Sequence, residues 1–175
     1  MAIFNTPRVN HSQKNYMENM ISNLFVAEYP VLYRNGYGVF SETAEQVIDG
    51  FRMTQQYAQR MIRVKIHCME LFVEPDKKQE EVVWLAESMG KYFYSQGFQC
   101  MVMAFSLERY YVIEVVVNAV SFVGGSVFHD NNCQHYETLQ YLKKIMPCGW
   151  KLDVTDGVFF ENGNLARSYL RGIFG

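Results

Sequence analysis

The chain is 175 residues long, the size of one domain and short of two. Hydrophobic residues make up 49% and charged residues 19%, enough apolar side chain for a packed core, which excludes a disordered polar tail. Sixteen Lys and Arg against 18 Asp and Glu leave a net charge of −2, so a globally basic nucleic-acid coat is excluded and any contact with phosphate must come from a local patch.

Residues 1–20 are polar, most of all from Asn10 to Asn15, and predict a mobile arm or a short helix. Val31 to Val39 is apolar and aromatic with Gly36 and Gly38, which suits a short strand or an extended hook. Ser41 is placed to cap the next helix, with Thr43 and Gln46 as a capping-box alternative, and Glu42 and Glu45 suit the positive end. Ala44, Val47, Ile48, Phe51, Gln55 and Ala58 then recur at helical spacing. Arg63 to Val73 alternates and is rich in branched residues, which predicts a strand. Glu74-Pro75-Asp76 ends it and opens a helix from Lys77 to Ser95, with Val82, Leu85, Ala86, Met89 and Phe93 as its stripe. Gly97 stops that helix. Phe98 to Phe105 and Tyr111 to Phe122 read as two long strands, the second apolar on both faces and therefore central in its sheet. Gly124-Gly125 predicts a hairpin turn into residues 126–130, and Asn131 or Asn132 caps a helix running to Met146. The tail from Trp150 suggests a hairpin and a short helix from Asn164. This order is α+β, with neighbouring hairpins in a largely antiparallel sheet.

The amino terminus lacks a basic stretch followed by a long apolar one, so no secretory leader is expected. No run reaches the roughly 20 apolar residues of a membrane span; the most apolar stretch, Tyr110 to Val123, is interrupted by Glu114 and Asn118. Cys68, Cys100, Cys133 and Cys148 show no CxxC pairing, which predicts reduced core thiols in a cytoplasmic protein.

Several short phrases resemble those of plasmid mobilisation relaxases, the HUH-type mobilisation nucleases. Gly36-Tyr-Gly-Val-Phe-Ser-Glu-Thr-Ala44 is similar to their Gly-Val-Asn-Cys-x-x-x-x-Ala phrase. Glu70-Leu-Phe-Val-Glu-Pro75 resembles Gln-Ser-Phe-x-Pro-Gly, and Val116-Val-Asn-Ala-Val-Ser-Phe-Val-Gly-Gly-Ser-Val-Phe-His-Asp-Asn-Asn132 resembles Val-Asn-Ser-Val-Ser-Phe-x-x-Gly-x-x-Phe-His-Asp-Asn. The phrases occur in the family's order over residues 20–146, leaving 147–175 as an unassigned tail of a single domain. The resemblance implies a relaxase-like α+β fold: a central antiparallel sheet with helices packed mainly on one face.

In that family a tyrosine attacks a DNA phosphodiester, and a His cluster holds a divalent metal against the phosphate. Strand residues at i, i+2 and i+4 share a face, so a His-x-His-x-His run presents three imidazoles to one Lewis acid. Counted back from Asn118, the ligand positions fall on Tyr110, Val112 and Glu114; counted back from Gly36, the nucleophile's position falls near Asn23. Valine cannot ligate, a protonated phenol ligates poorly, and an asparagine cannot form the tyrosyl ester. Tyr16 and Tyr29 are the candidates for a displaced nucleophile. His67 lies mid-strand and reads as a core histidine, and His129 reads as a hairpin-end hydrogen-bonding residue.

The resemblance together with these departures implies a catalytically inactive relaxase-like protein, without a cofactor, acting as an accessory or regulatory element of a mobile genetic unit. Its expected partners are single-stranded DNA or another mobilisation protein, with no membrane. Arg34, Arg52, Arg60, Arg63 and Lys65 are the candidate nucleic-acid residues, with Tyr33, Tyr37 or Tyr57 for base stacking. Two other readings stay open. One is a divergent Mg- or Mn-dependent nicking enzyme using Glu114 with Glu108, His129 or His135; the other is a protein-interaction module that kept the scaffold only.

Overall fold

The computed structural model describes residues 1–6, 15–58, 62–128 and 132–154, with the backbone alone for 132–135 and 154. Its elements are β1 (Ala2–Asn5), α1 (Tyr16–Phe25), β2 (Val31–Tyr37), α2 (Ala44–Tyr57), β3 (Ile66–Val73), α3 (Gln79–Ser95), β4 (Phe98–Leu107), β5 (Tyr110–Ser121), α4 (Asn132–Ile145) and β6 (Leu152–Val154). The strands form one sheet in the order β2-β4-β5-β3-β1-β6. Every neighbouring pair is antiparallel except β1 with β6. The expected α+β class and the central place of the apolar strand β5 both hold.

Alternation along the strands decides which helix packs where. Cys100, Val102 and Ala104 of β4, with Tyr111, Ile113, Val115 and Val117 of β5, pack beneath the α3 stripe of Val82, Leu85, Ala86, Met89 and Phe93 and beneath Leu142 of α4. The intervening Met101, Met103, Phe105 and Val116 pack under Tyr16, Met17, Ile21 and Leu24 of α1 and Val47, Ile48 and Phe51 of α2. The helices therefore lie two on each face, which corrects the expectation that they gather mainly on one. The physical reason is in β4 and β5 themselves: both faces are apolar, so both must be covered.

Other expectations change as well. The amino terminus is not all arm, because Ala2–Asn5 is a fully buried strand between β3 and β6. Four residues are too few for alternation to be read along the chain. Met1 contributes its amino group to Glu74, which anchors that strand at its start. Gly124 and Gly125, both with positive φ, do turn the chain back as expected: Val127 bridges Val120 antiparallel, and Ser121 N donates to the Ser126 carbonyl and Phe128 N to the Ala119 carbonyl, each at 2.8 Å, while residues 129 and 130 lie outside the described residues. The helix predicted from Asn164 lies outside the described residues.

The phrases that carry the resemblance are joints of this scaffold. Gly38 turns the chain at φ 71°, and Ser41 Oγ reaches back to accept from the Gly36 N–H at 2.8 Å. Thr43 therefore caps α2, completing a capping box with Gln46. Asn118, inaccessible to solvent, donates to Gln99 Oε1 (2.9 Å) and to the Phe51 carbonyl (3.2 Å), and accepts from Gln55 Nε2 (3.0 Å). Ser121 Oγ donates to the Gly97 carbonyl at 2.8 Å and accepts from Val123 N at 3.0 Å, pinning the end of β5 to the start of β4.

Candidate functional site

The positions at which the resemblance implies metal ligands lie on β5, and strand alternation puts Tyr110, Val112 and Glu114 in one line on one face. Opposite them on β3 stand Phe72, facing Val112, and Glu70, facing Glu114. Beyond β3, β1 places Ile3 opposite Phe72 and Asn5 opposite Glu70. The face thus has an apolar half and a polar half.

The apolar half is closed. Tyr110 and Val112 are 5% and 4% exposed and pack with Ile3 and Phe72; the Phe72 and Tyr110 rings meet edge-on at 5.8 Å between centroids. An isopropyl group and a buried phenol cannot supply the donors of a preorganised divalent site. The three implied ligand positions do not fit a metal ion as a set.

The polar half holds Glu70 and Glu114, both half-buried, with Asn5 Nδ2 donating to Glu70 Oε2 at 3.0 Å. Two carboxylates directly opposed across a ladder repel unless cations or donors offset them. Cys68, next on this face of β3, feels that charge. Burial first, then the negative charges of Glu70 and Glu114, pushes its thiol well above the ordinary range, so it stays S–H at neutral pH. Glu108 lies in the turn between β4 and β5, six residues from Glu114 and so about 20 Å along the strand. Glu108 and Glu114 are not brought together. His129 lies outside the described residues, as does the side chain of His135. Among the described residues, no three His, Cys, Asp or Glu are grouped as metal ligands are.

Asn23 is exposed on α1. Tyr16, at the start of the same helix, is buried and its hydroxyl accepts from the Lys65 N–H. Burial raises its pKa against the lowering effect of the backbone bonds from Lys65 and Ile66, so it holds its proton. Tyr29 is half-buried against the α1–α2 cluster.

The basic residues separate into two places. Arg52 is engaged, its Nη2 2.7 Å from Glu18 Oε1 and its Nη1 3.7 Å from Asp49 Oδ1. Lys65 lies near enough to Glu18 to lower that carboxyl's pKa. Arg34 sits at the other end of α1, over the Phe25 ring at 5.4 Å from its centroid. Arg63 is exposed, and Arg60 lies outside the described residues. Of the stacking candidates, Tyr57 alone is fully presented to solvent; Tyr33 and Tyr37 are half-buried, hydroxyl to hydroxyl at 2.6 Å, with Tyr37 donating to the Glu87 carbonyl.

Glu70 was visible to sequence reasoning only as part of a phrase, although its alternation with Cys68 and Phe72 is the available signal. What places it opposite Glu114 is the β3–β5 register, which no local pattern encodes. Among the described residues no helix is long and apolar enough to cross a membrane. Compared with protein-family models, with curated proteins and with solved structures, the chain finds no match in any of the three.

Proposed function

We propose that this chain is a relaxase-like domain without DNA-nicking chemistry, serving a mobile genetic element as an accessory or regulatory DNA-associated protein. The observation that carries the reading is the line Tyr110, Val112, Glu114. Its geometry is that of a strand-borne ligand set, yet its first two members are sealed into apolar packing with Ile3 and Phe72. The structural duty of Asn118, Ser41 and Ser121 supports it further, because these residues of the relaxase-like phrases serve the scaffold rather than the chemistry. Among the described residues, Arg63, Lys65 and Arg34 are the candidates left to meet phosphate, since Arg52 is engaged by Glu18 and Asp49.

The test combines two assays on the full chain. Supercoiled plasmid incubated with the protein and Mg²⁺ or Mn²⁺ stays closed, while a labelled single-stranded oligonucleotide binds with log K falling against log salt by about 0.7 per phosphate contact. A nicked product abolished by Glu114→Gln overturns the loss of chemistry. Absence of both nicking and binding overturns the DNA association.

A further inference from the structure

Six of the exposed large hydrophobic residues gather at one end of the molecule, away from the Tyr110–Glu114 line. Phe40 is 82% exposed, Met53 58% and Tyr57 81%; Tyr94, Phe122 and Val123 continue the patch. Phe40, Met53 and Tyr57 line a cleft of about 650 Å³ between α2 and the hook that follows β2, floored by Gly38, Gly50 and Gln99. On its far side the Tyr94 ring lies against Gly38 and stacks on Phe122 at 5.2 Å and 27°.

These side chains are held out rather than left loose. The hook is tied at Gly36 by Ser41 Oγ (2.8 Å) and at the Gly38 carbonyl by Gln99 Nε2 (2.7 Å), and the capping box of Thr43 fixes the first turn of α2 directly after it. Val39 turns inward against the α1–α2 cluster, which leaves its neighbour Phe40 facing water. A preorganised apolar surface of this kind needs a cover, and it binds without the ordering cost that a flexible loop would add.

Among the described residues around the cleft, acids outnumber bases. Asp49 is the charged residue of the lining and is shared with Arg52, whose Nη1 lies 3.7 Å away; Glu42 and Glu45 stand exposed about a turn earlier, so acid prevails at the amino-terminal end of the cleft. That sign repels a nucleic-acid backbone and attracts Lys and Arg. Gln46, Asp49, Gly50, Met53 and Tyr57 follow one another at helical spacing, which suits an amphipathic helix laid alongside α2, reading the groove with anchors at i, i+3, i+4 and i+7.

We infer that the cleft between α2 and the Gly38–Ser41 hook is a docking groove for a basic amphipathic helical segment of a partner protein, its apolar anchors covering Phe40, Met53 and Tyr57 and its Lys or Arg residues meeting Glu42 and Glu45. The inference does not depend on what the β5 face does with DNA.

The probe is a fluorescein-labelled Leu/Lys peptide about as long as α2, with a Leu/Glu peptide of the same pattern beside it, titrated with the full chain and read by anisotropy. The basic peptide binds at least about tenfold more tightly than the acidic one, the charge partners setting that preference. The F40S/Y57S double substitution, at solvent-exposed positions, weakens the basic peptide by about tenfold or more. The E42K/E45K substitution transfers the preference to the acidic peptide. Equal affinity for the two peptides overturns the inference, as does binding indifferent to F40S/Y57S. So does self-association in sedimentation that F40S/Y57S abolishes, because the cover is then a second copy. Single-stranded oligonucleotide binding lost in F40S/Y57S also overturns it, since the groove is then a stacking platform.

Discussion

Asn118 and Gln99 meet amide to amide at 2.9 Å in the solvent-free interior, and between them they join four parts of the fold. Gln99 passes the connection to the Gly38 carbonyl of the hook, while Asn118 passes it to Phe51 and Gln55 of α2. Replacing Asn118 with Leu orphans several buried groups at once. At about 1–3 kcal/mol for each buried group left unpaired, with some relaxation, N118L costs about 2–4 kcal/mol. Urea denaturation shows this as a lower midpoint at unchanged slope. A midpoint within error of the parent means that the network is not a joint of the scaffold.

A second joint links α3 to the edge strand. A Cβ built on Gly90 would overlap the Tyr37 ring, whose hydroxyl is bonded to Tyr33 and to the Glu87 carbonyl. G90A alone therefore destabilises by about 1–3 kcal/mol through overpacking. In a Y37A background the same change becomes neutral or stabilising, because Ala is a better helix residue than Gly by about 1 kcal/mol. The sign reversal in a double-mutant cycle is the measurement; additive costs sink the explanation.

What could be read from the chain divides by the range of the interaction involved. The α3 stripe Val82, Leu85, Ala86, Met89, Phe93 is buried as its spacing predicts, and β5 is central because both its faces are apolar. These are local patterns repeated over many residues. Ser41 and Thr43 illustrate the limit: both are good caps, and the Gly36 N–H decides between them by drawing Ser41 back to the hook. At the candidate site, the one-sided line of Tyr110, Val112 and Glu114 was legible from parity. The pairing of Glu114 with Glu70, and the closure of Val112 by Ile3 from the far end of the chain, was not, because strand order and register join residues about 40 to 110 positions apart.

The Glu18–Arg52 pair joins α1 to α2 and makes stability depend on pH in a definite direction. Burial raises the Glu18 carboxyl, but its own backbone bond, the Arg52 guanidinium and Lys65 outweigh that and hold it below its ordinary value. A carboxyl depressed in the folded state contributes stability that is full above its unfolded pKa and lost as pH falls through the folded one. The advantage of the parent over E18Q is therefore constant from neutral pH down to about 5 and shrinks below about 4.5. With Arg52 half exposed, the difference stays under about 1 kcal/mol and falls in high salt. Urea midpoints of both proteins between pH 3 and 7 measure it. A gap that widens on acidification contradicts the assignment.

The face of β5 permits a reconstruction. Y110H/V112H/E114H puts three imidazoles at i, i+2 and i+4 of one strand, on the side where Tyr110, Val112 and Glu114 already lie in line. Without metal the variant loses about 2–4 kcal/mol, because an imidazole replaces Val112 in the closed contact with Ile3 and Phe72. Imidazole donors suit Ni²⁺, and at a hundredfold excess over Kd binding restores about 2.7 kcal/mol. For a chain of this size that is a rise in Tm of roughly 5–10 °C. The parent, with one carboxylate at these three positions, shows no comparable rise with Ni²⁺ or Mn²⁺. If the variant fails to respond, the three side chains do not converge and the line is not the imprint of a ligand set. If the parent responds as strongly as the variant, the native face holds a cation after all, and the proposal that it has lost its phosphate chemistry falls.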